Sequence, residues 1–293
     1  MFRSLMIGLM LAASSPASAR VGAEIAYSIN NEIFLINSNG SGNVKIHRAP
    51  GNAFIDSISL RKGGGQIAFI EKWVLKFMNY DSTGARVGTV YSLPGCYRQF
   101  DVQFAPDGQS VIYGELCGNL SSIRKIAVPT PANPAPTPET LVSGIQYLYV
   151  GGFDGTGQSF VYSFETPNGY QMRRHYLDGR SENDVTVLST PLGSMIRHSA
   201  LSHAGTKVLF ADWGGSYTTA STGYVEEYDI TSAEHRTNVQ RASIGDYGPA
   251  DEILYAEKEG KTTYLRYRDA SGLTWSITKS SAYLAFNDID WGD

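Results

Sequence analysis

The amino-acid sequence predicts an all-β fold, a six-bladed β-propeller closed by pairing of the C-terminal strand with the N-terminal blade. One apolar pattern, a pair of residues that ends on an aromatic side chain, occurs six times at intervals of 42 to 49 residues. Turns rich in glycine and small polar residues lie between the apolar segments, and no long amphipathic helical pattern interrupts them. The two ends of the chain also complement each other.

The repeated pattern sets the length of one blade. Its six copies are IAY (25–27), IAF (67–69), VIY (111–113), FVY (160–162), VLF (208–210) and ILY (253–255). A turn such as Gly63-Gly64-Gly65 precedes most copies, and a second apolar strand such as WVLKFMN (73–79) follows each of them. Four short strands in a period of about 45 residues are typical of one propeller blade.

The chain ends predict how the ring of blades closes. Residues 24–48 contain a second and a third strand but no first strand, whereas FNDIDWGD (286–293) has the pattern of a first strand without a successor. Pairing of these two segments would complete a blade and remove an exposed sheet edge. The competing architecture, a pair of β-sandwiches, does not predict such complementary ends.

Composition and the N-terminal segment predict a globular, exported protein. Apolar residues make up 42% and charged residues 18% of the chain, and the formal net charge is −4 without a basic run, so nucleic-acid binding is not expected. Residues 1–19 have the pattern of a signal peptide, with Arg3, an apolar stretch and the small residues of 17–19. A single propeller domain, 20–293, would remain, located in the periplasm or secreted and not membrane-spanning.

The two cysteines flank a predicted hairpin in the third repeat. Ala105-Pro106-Asp107-Gly108 has the residues of a type I turn, with proline second and glycine fourth. If the hairpin is centred between Pro106 and Asp107, Cys96 lies opposite Cys117. In an oxidising compartment this favours a structural disulfide. Two free thiols buried in a sheet are the alternative.

One insertion lengthens the third repeat. The segment VPTPANPAPTPE (128–139) contains five prolines, which exclude it from a central strand. Because the repeat continues on both sides, we expect a loop between the two outer strands of one blade and not a linker between domains.

The third repeat carries a family resemblance. FAPDGQSVIY (104–113) resembles the Ser-Pro-Asp-Gly turn and following strand of TolB-type, WD-like β-propeller repeats, and LRKGGGQIAF (60–69) and LSHAGTKVLF (201–210) are more diverged versions. The resemblance implies that the first strand of each blade lies innermost, beside a central channel. It also implies a channel mouth that is presented to a protein or peptide. Such repeats indicate fold more strongly than function.

Counting back from the apolar cores places four polar residues at matching positions near the starts of the innermost strands: Asp56, Asp101, His198 and Asp288. They could form a ring that holds a cation or a polar ligand, or they could hydrogen-bond to neighbouring strands and loops. Seven residues are predicted on loops around the same mouth: Asn52, Tyr97, Arg98, Tyr147, Arg197, Asp246 and Tyr283. Aromatic and arginine residues are enriched at protein-recognition surfaces, so this rim is the candidate binding face. An ordinary solvated set of loops is the alternative.

Two functions from different classes fit these residues. The sequence contains neither a G-x-S-x-G nor an H-E-x-x-H motif, and no cofactor or bound metal is expected. The first hypothesis is therefore a non-enzymatic protein- or peptide-binding or scaffold module of the cell envelope. The alternative is a propeller hydrolase or lyase that acts on a small or sugar-like substrate with a metal in the central channel.

Overall fold

Six four-stranded antiparallel sheets make up the computed structural model, as the sequence predicts. The structure describes residues 24–180, 183–192, 194–212, 223–281 and 286–292. The predicted signal peptide, residues 1–19, and the candidate residue Tyr283 lie outside these ranges. No helix within the described ranges is long and apolar enough to cross a membrane.

The strands follow the repeat along the chain. Blade 1 begins with β1 (Ile25–Ile29), β2 (Glu32–Ile36) and β3 (Val44–Arg48). Blade 2 consists of β4 (Ile55–Leu60), β5 (Gln66–Glu71), β6 (Val74–Tyr80) and β7 (Arg86–Leu93). Blade 3 consists of β8 (Arg98–Phe104), β9 (Ser110–Cys117), β10 (Leu120–Ala127) and β11 (Glu139–Ile145).

Blade 4 consists of β12 (Leu148–Phe153), β13 (Ser159–Thr166), β14 (Gly169–Tyr176) and β15 (Asp184–Ser189). Blade 5 consists of β16 (Ile196–Leu201), β17 (Lys207–Asp212), β18 (Tyr224–Asp229) and β19 (Glu234–Gln240). Blade 6 consists of β20 (Ala242–Tyr247), β21 (Ile253–Glu259), β22 (Thr262–Arg268) and β23 (Thr274–Ser281). The last strand, β24 (Phe286–Trp291), returns to blade 1.

The predicted closure is confirmed by the pairing of β24 with β1. The two strands run antiparallel, with Tyr27 opposite Ile289 and Ile25 opposite Trp291. The inner strands β24, β4, β8, β12, β16 and β20 contact one another around the ring. The first strand of each blade is thus the innermost.

The repeated apolar pattern forms the second strand of each blade and supplies the core between blades. Ile33 of blade 1 lies in one apolar cluster with Ile58 and Phe69 of blade 2, and Phe77 of blade 2 lies in the next cluster with Tyr113 of blade 3. Burial of each such side chain stabilises the fold by about 1.5–3 kcal/mol. The blades are held together chiefly by these inter-blade layers.

The predicted disulfide between Cys96 and Cys117 is confirmed, but the hairpin register differs from the prediction. The Gly108 amide donates to the Ala105 carbonyl oxygen at 2.8 Å, as in the expected turn. The two cysteines, whose Cα atoms lie 5.3 Å apart, are not opposite each other in the ladder, because the hairpin is centred between Asp107 and Gly108, one residue later than predicted. The bulge in β8 then shifts the register back by one residue.

The proline-rich segment lies where it was expected, between the outer strands β10 and β11 of blade 3. Residues 130–135 are exposed, and a single isolated bridge joins Thr130 to Asn133. Pro129 and Pro136 are buried and anchor the loop to the blade.

Candidate binding site at the upper channel mouth

The six inner strands run in the same direction along the channel, which gives it two distinct ends. We call the end at which these strands begin, at residues such as Ile55, Arg98 and Leu148, the upper mouth. The end at which they finish, at residues such as Leu60 and Phe104, is the lower mouth.

Three of the four predicted ring residues occupy β-bulges in the inner strands. The ladders pass from Ile55 to Ser57, from Phe100 to Val102 and from Arg197 to Ala200, so the register with the second strand omits Asp56, Asp101 and His198. Asp101 and His198 each have a φ of +46°, which is uncommon for residues other than glycine. Bulges re-aim side chains near functional sites.

Two of the ring aspartates hydrogen-bond to the next inner strand. Asp288 Oδ2 accepts a hydrogen bond from the Ile58 amide at 2.8 Å, and Asp101 Oδ2 accepts one from the Val150 amide at 3.0 Å. The hydroxyl of Ser57 has the same role between β4 and β8, where it accepts from the Val102 amide at 3.0 Å. These two aspartates therefore join neighbouring blades.

A second set of side chains repeats this pattern nearer the lower mouth. Asp290 Oδ2 accepts from the Leu60 amide at 2.7 Å, Ser59 Oγ accepts from the Phe104 amide at 2.9 Å, and Asp246 Oδ2 accepts from the Trp291 amide at 2.8 Å. Together with the upper set they satisfy backbone donors along the inner strands, which lack a further strand to pair with. Sequence reasoning did not single out Asp290.

The position of Asp246 differs from the sequence prediction. It was expected in a loop at the upper mouth, but it is the fifth residue of β20 and lines a cavity at the lower mouth. This cavity has a volume of about 100 Å³ and is also lined by Asp290, Trp291 and Lys62. The blade 6 turn is the most diverged copy of the repeat, so the start of β20 could not be placed by alignment.

Charged groups from four blades converge at the upper mouth. His198 Nδ1 lies 3.7 Å from Asp288 Oδ1. Burial, together with the negative charges of Asp56 and Asp288, raises the pKa of Asp101 to about 7, although His198 acts in the opposite direction. Burial also raises the pKa of Asp56, which Arg98 opposes.

Arg98 stacks on an aromatic pair at this mouth. The Arg98 Cζ atom lies 3.5 Å from the centroid of the Trp73 ring, and Trp73 meets Phe54 edge to face with centroids 4.5 Å apart. Trp73 lies in the turn between β5 and β6 and has a φ of +65°. Such cation–π contacts hold a guanidinium group in place.

Arg197 has a comparable position two blades away. Its Nη2 donates a hydrogen bond to the hydroxyl of Tyr149 at 2.8 Å, and its Cζ lies 4.5 Å from the Tyr149 ring centroid. Sequence reasoning predicted both arginines at this mouth but found neither aromatic support, because Trp73 and Tyr149 lie in a turn and in a strand that showed no repeat-wide signal.

The rim of the upper mouth exposes large apolar side chains. Tyr97 is 78% exposed, Tyr147 61% and Phe54 36%, and each immediately precedes an inner strand. Leu192, which is 73% exposed, lies in the segment before β16. Asn52 is exposed in the loop before β4. Phe54 and Leu192 were not among the predicted rim residues.

The upper ring does not form a compact set of metal ligands within the described residues. The one group of three or more His, Cys, Asp or Glu side chains there whose ligand atoms lie within 4.8 Å of one another is Cys96, Glu115 and Cys117. The carboxylates of the ring instead interact through charge with one another and with His198.

Comparisons with known proteins identify the fold. No family model matches the chain, and no curated protein matches its sequence. Its structure is similar to that of TolB from Acinetobacter baumannii, with a TM-score of 0.68, 17% identity, and coverage of 92% of this chain and 67% of that one. A protein described as TolB from Agrobacterium tumefaciens gives a TM-score of 0.67 at 11% identity, covering 89% of this chain and 93% of that chain.

Proteins of other kinds have similar structures. An oligogalacturonate lyase in complex with manganese gives a TM-score of 0.53 at 11% identity, covering 83% of this chain and 69% of that chain. At such low identity these likenesses concern the fold alone. The inner strands, the closure by β24 and the TolB structures together show that this chain has the TolB-type six-bladed β-propeller fold.

Proposed function

We propose that the protein is an exported, non-enzymatic propeller that binds a protein or peptide of the cell envelope at the upper mouth. The observation that carries this proposal is the alignment of exposed apolar side chains with consecutive inner strands. Phe54, Tyr97, Tyr147 and Leu192 precede β4, β8, β12 and β16 on one face of the molecule. Large apolar side chains exposed together on one face, here around a charged channel mouth, are typical of interaction sites.

The two stacked arginines support recognition of a polypeptide. Tyr, Trp and Arg are the residues that contribute most to binding energy at protein interfaces. Because Arg98 already stacks on Trp73 and Arg197 on Tyr149, their ordering costs less free energy when a partner binds. The similarity to TolB structures is consistent with a scaffold or binding role.

Location outside the cytoplasm supports the same proposal. Disulfides form and persist in oxidising compartments, and Cys96 and Cys117 form one here. Together with the predicted signal peptide at residues 1–19, this favours the periplasm or the extracellular space.

The enzymatic alternative, a hydrolase or lyase with a metal in the channel, draws support from one observation. Asp56, Asp101, His198 and Asp288 interact at one mouth. A carboxyl with a pKa of about 7, such as that of Asp101, is suited to general acid–base catalysis near neutral pH. The binding proposal is preferred because Asp101 and Asp288 are engaged in joining blades.

A peptide-display selection against the immobilised protein tests the binding proposal. We expect selected peptides to lose at least about tenfold in affinity when Tyr97 and Tyr147 are both replaced by alanine, since hot-spot truncations cost more than 1 kcal/mol each. The matched control is Leu273→Ala, which removes an apolar side chain that is 64% exposed on the β22–β23 turn.

The control variant should change affinity by less than about twofold. Equal losses for Leu273→Ala and the tyrosine variant would contradict a site at the upper mouth. Metal-dependent turnover of a small substrate that is abolished by His198→Ala, with no peptide selected, would favour the enzymatic alternative.

A further inference from the structure

A cluster of potential metal ligands lies at the upper end of blade 3. One atom from each of Cys96, Glu115 and Cys117, two sulfurs and a carboxylate oxygen, lies within 4.8 Å of the others. In the oxidised protein the two sulfurs are bonded to each other. We propose that this cluster is a redox-gated zinc site, which the disulfide closes and which reduction opens to one Zn²⁺ held by two thiolates and the Glu115 carboxylate.

The Glu115 carboxylate is already fixed beside the sulfur atoms. Its Oε1 accepts a hydrogen bond from the Cys96 amide at 3.1 Å, and its Oε2 lies 3.5 Å from Arg124 Nε. The Glu115 side chain is only 6% exposed. Outer contacts of this kind orient the carboxylate ligands of metal sites, and a fixed ligand requires little reorganisation when a metal binds.

Glycine at position 95 allows the Glu115 carboxylate to lie close to Cys96. A Cβ atom at Gly95 would lie 2.2 Å from Glu115 Oε1 and 2.6 Å from Gln99 Nε2. Any other residue there would push the carboxylate away from Cys96. The local sequence thus leaves space for the acidic group next to the disulfide.

The backbone holds both cysteines in place independently of the disulfide. The Tyr97 amide donates to the Leu116 carbonyl oxygen at 3.2 Å, and Cys117 pairs with Leu120 in the β9–β10 ladder. Zinc–sulfur bonds of about 2.3 Å and zinc–oxygen bonds of about 2.0 Å place tetrahedral ligand atoms roughly 3.3–3.8 Å apart. Small side-chain rotations would therefore bring the three ligands to coordinating distance after reduction.

The exposure of the two cysteines and the charges around them are both compatible with replacement of the disulfide by a bound zinc ion. Cys96 and Cys117 are exposed, so a dithiol reductant can reach the sulfurs. One dithiol supplies two electrons and two protons, giving two protein thiols and its own cyclic disulfide. Zn²⁺ then replaces the two thiol protons, which pass to solvent, and binds Glu115 and one water. The two thiolates balance the charge of the metal, while Arg124 still balances Glu115.

The site lies next to the rim of the upper mouth, since Tyr97 and Arg98 directly follow Cys96. It does not depend on the proposed binding function. A dithiolate–carboxylate set with one water position is typical of zinc and not of calcium or magnesium, which prefer oxygen ligands alone.

Cobalt titration of the complete exported protein tests the proposal. After reduction with dithiothreitol and its removal without oxygen, we expect one equivalent of Co²⁺ to give a sulfur-to-cobalt charge-transfer band and tetrahedral d–d bands, which one equivalent of Zn²⁺ removes. Cys96→Ser should abolish the bands. Glu115→Gln, which retains an acceptor for the Cys96 amide, should weaken zinc binding at least about tenfold.

Glu139→Gln, an exposed acidic residue of β11, is the matched control and should leave the titration unchanged. Circular dichroism monitors the β-sheet content of each sample. Absence of the bands in folded reduced protein, equal bands in oxidised protein or in Cys96→Ser, or unfolding of the hairpin on reduction would each overturn the proposal.

Discussion

The upper and lower mouths of the channel use aspartate in different ways. At the lower mouth, Asp290 accepts hydrogen bonds from the Leu60 amide at 2.7 Å and from the Ser59 hydroxyl at 3.3 Å. At the upper mouth, no hydrogen bond within the described residues reaches the Asp56 carboxylate, which interacts with Arg98 and other charged groups only through charge. Asp290 belongs to the framework, whereas we propose that Asp56 is available to a ligand.

This difference shows that the aspartates along the inner strands do not all have the same role. Asp101 and Asp288 stand between the two extremes, because each joins an adjacent blade through one oxygen while its charge contributes to the upper mouth. Side chains that satisfy backbone donors are expected to affect stability, and side chains without such bonds are expected to affect binding.

The largest expected effect is loss of the Asp290 carboxyl. Asp290→Ala leaves the buried Leu60 amide without an acceptor and should lower the free energy of unfolding by about 2–3 kcal/mol. Burial and the nearby Asp246 raise the pKa of Asp290 well above its usual range. Asp290→Asn keeps an acceptor and should cost less than about 1 kcal/mol. Urea denaturation measures the free energy of unfolding of both variants. Equal losses for Asp290→Ala and Asp290→Asn would contradict the framework role of Asp290 and, with it, the distinction between the two mouths.

The next effect is a pH dependence at Asp101. The folded-state pKa of about 7 lies above the ordinary value of 3.8, so the folded protein binds more protons and stability falls as the pH rises between those values. Asp101→Asn cannot ionise. Relative to the wild type it should gain stability progressively as the pH rises from about 4 to 8.

Asp154→Asn is the control of opposite sign for this pH series. Although burial acts to raise the pKa of Asp154, hydrogen bonds from Ser159, Thr156, the Gln158 amide and Arg174 hold it below its ordinary value. The Asp154 carboxylate therefore stabilises the fold at pH values above its ordinary pKa, and this stabilisation is lost as the pH falls below that pKa. Urea denaturation at each pH gives the difference in free energy of unfolding between Asp101→Asn and the wild type. If this difference does not change with pH, the Asp101 carboxyl is not the buried group, repelled by neighbouring negative charges, that is described above.

The smallest expected effect on stability is at Asp56. Asp56→Asn removes no hydrogen bond to a described residue, and burial disfavours the charged carboxylate, so the variant should lower the free energy of unfolding by less than about 0.5 kcal/mol. The same variant should weaken ligands selected at the upper mouth. A loss of stability as large as that of Asp290→Ala, measured in the same urea series, would place Asp56 in the framework.

The sequence predicted the fold well because every blade repeats the same apolar strand pattern. The period of the apolar cores fixed the six blades, and the missing first strand before residue 24 predicted the role of β24. The disulfide could be predicted because both cysteines flank one short hairpin. These features depend on local patterns that survive small errors in register.

The site could be predicted only in outline. Counting from the cores located Asp56, Asp101, His198 and Asp288, but Asp246 was misplaced, because the diverged turn of blade 6 gave no signal for the start of β20. The stacking of Arg98 on Trp73 joins two blades. Contacts of this kind depend on how the blades lie side by side, which the sequence of each blade alone does not specify.

The most direct test of a binding face at the upper mouth is photo-crosslinking from both ends of the channel. A photoreactive amino acid is placed at Tyr147, which is 61% exposed on the upper rim, or at Lys62, which lines the lower cavity. Irradiation of intact cells that export each variant, followed by mass spectrometry, identifies the adducts. We predict a discrete adduct with an envelope protein or peptide from position 147 and none from position 62. Adducts from position 62 alone would contradict the account.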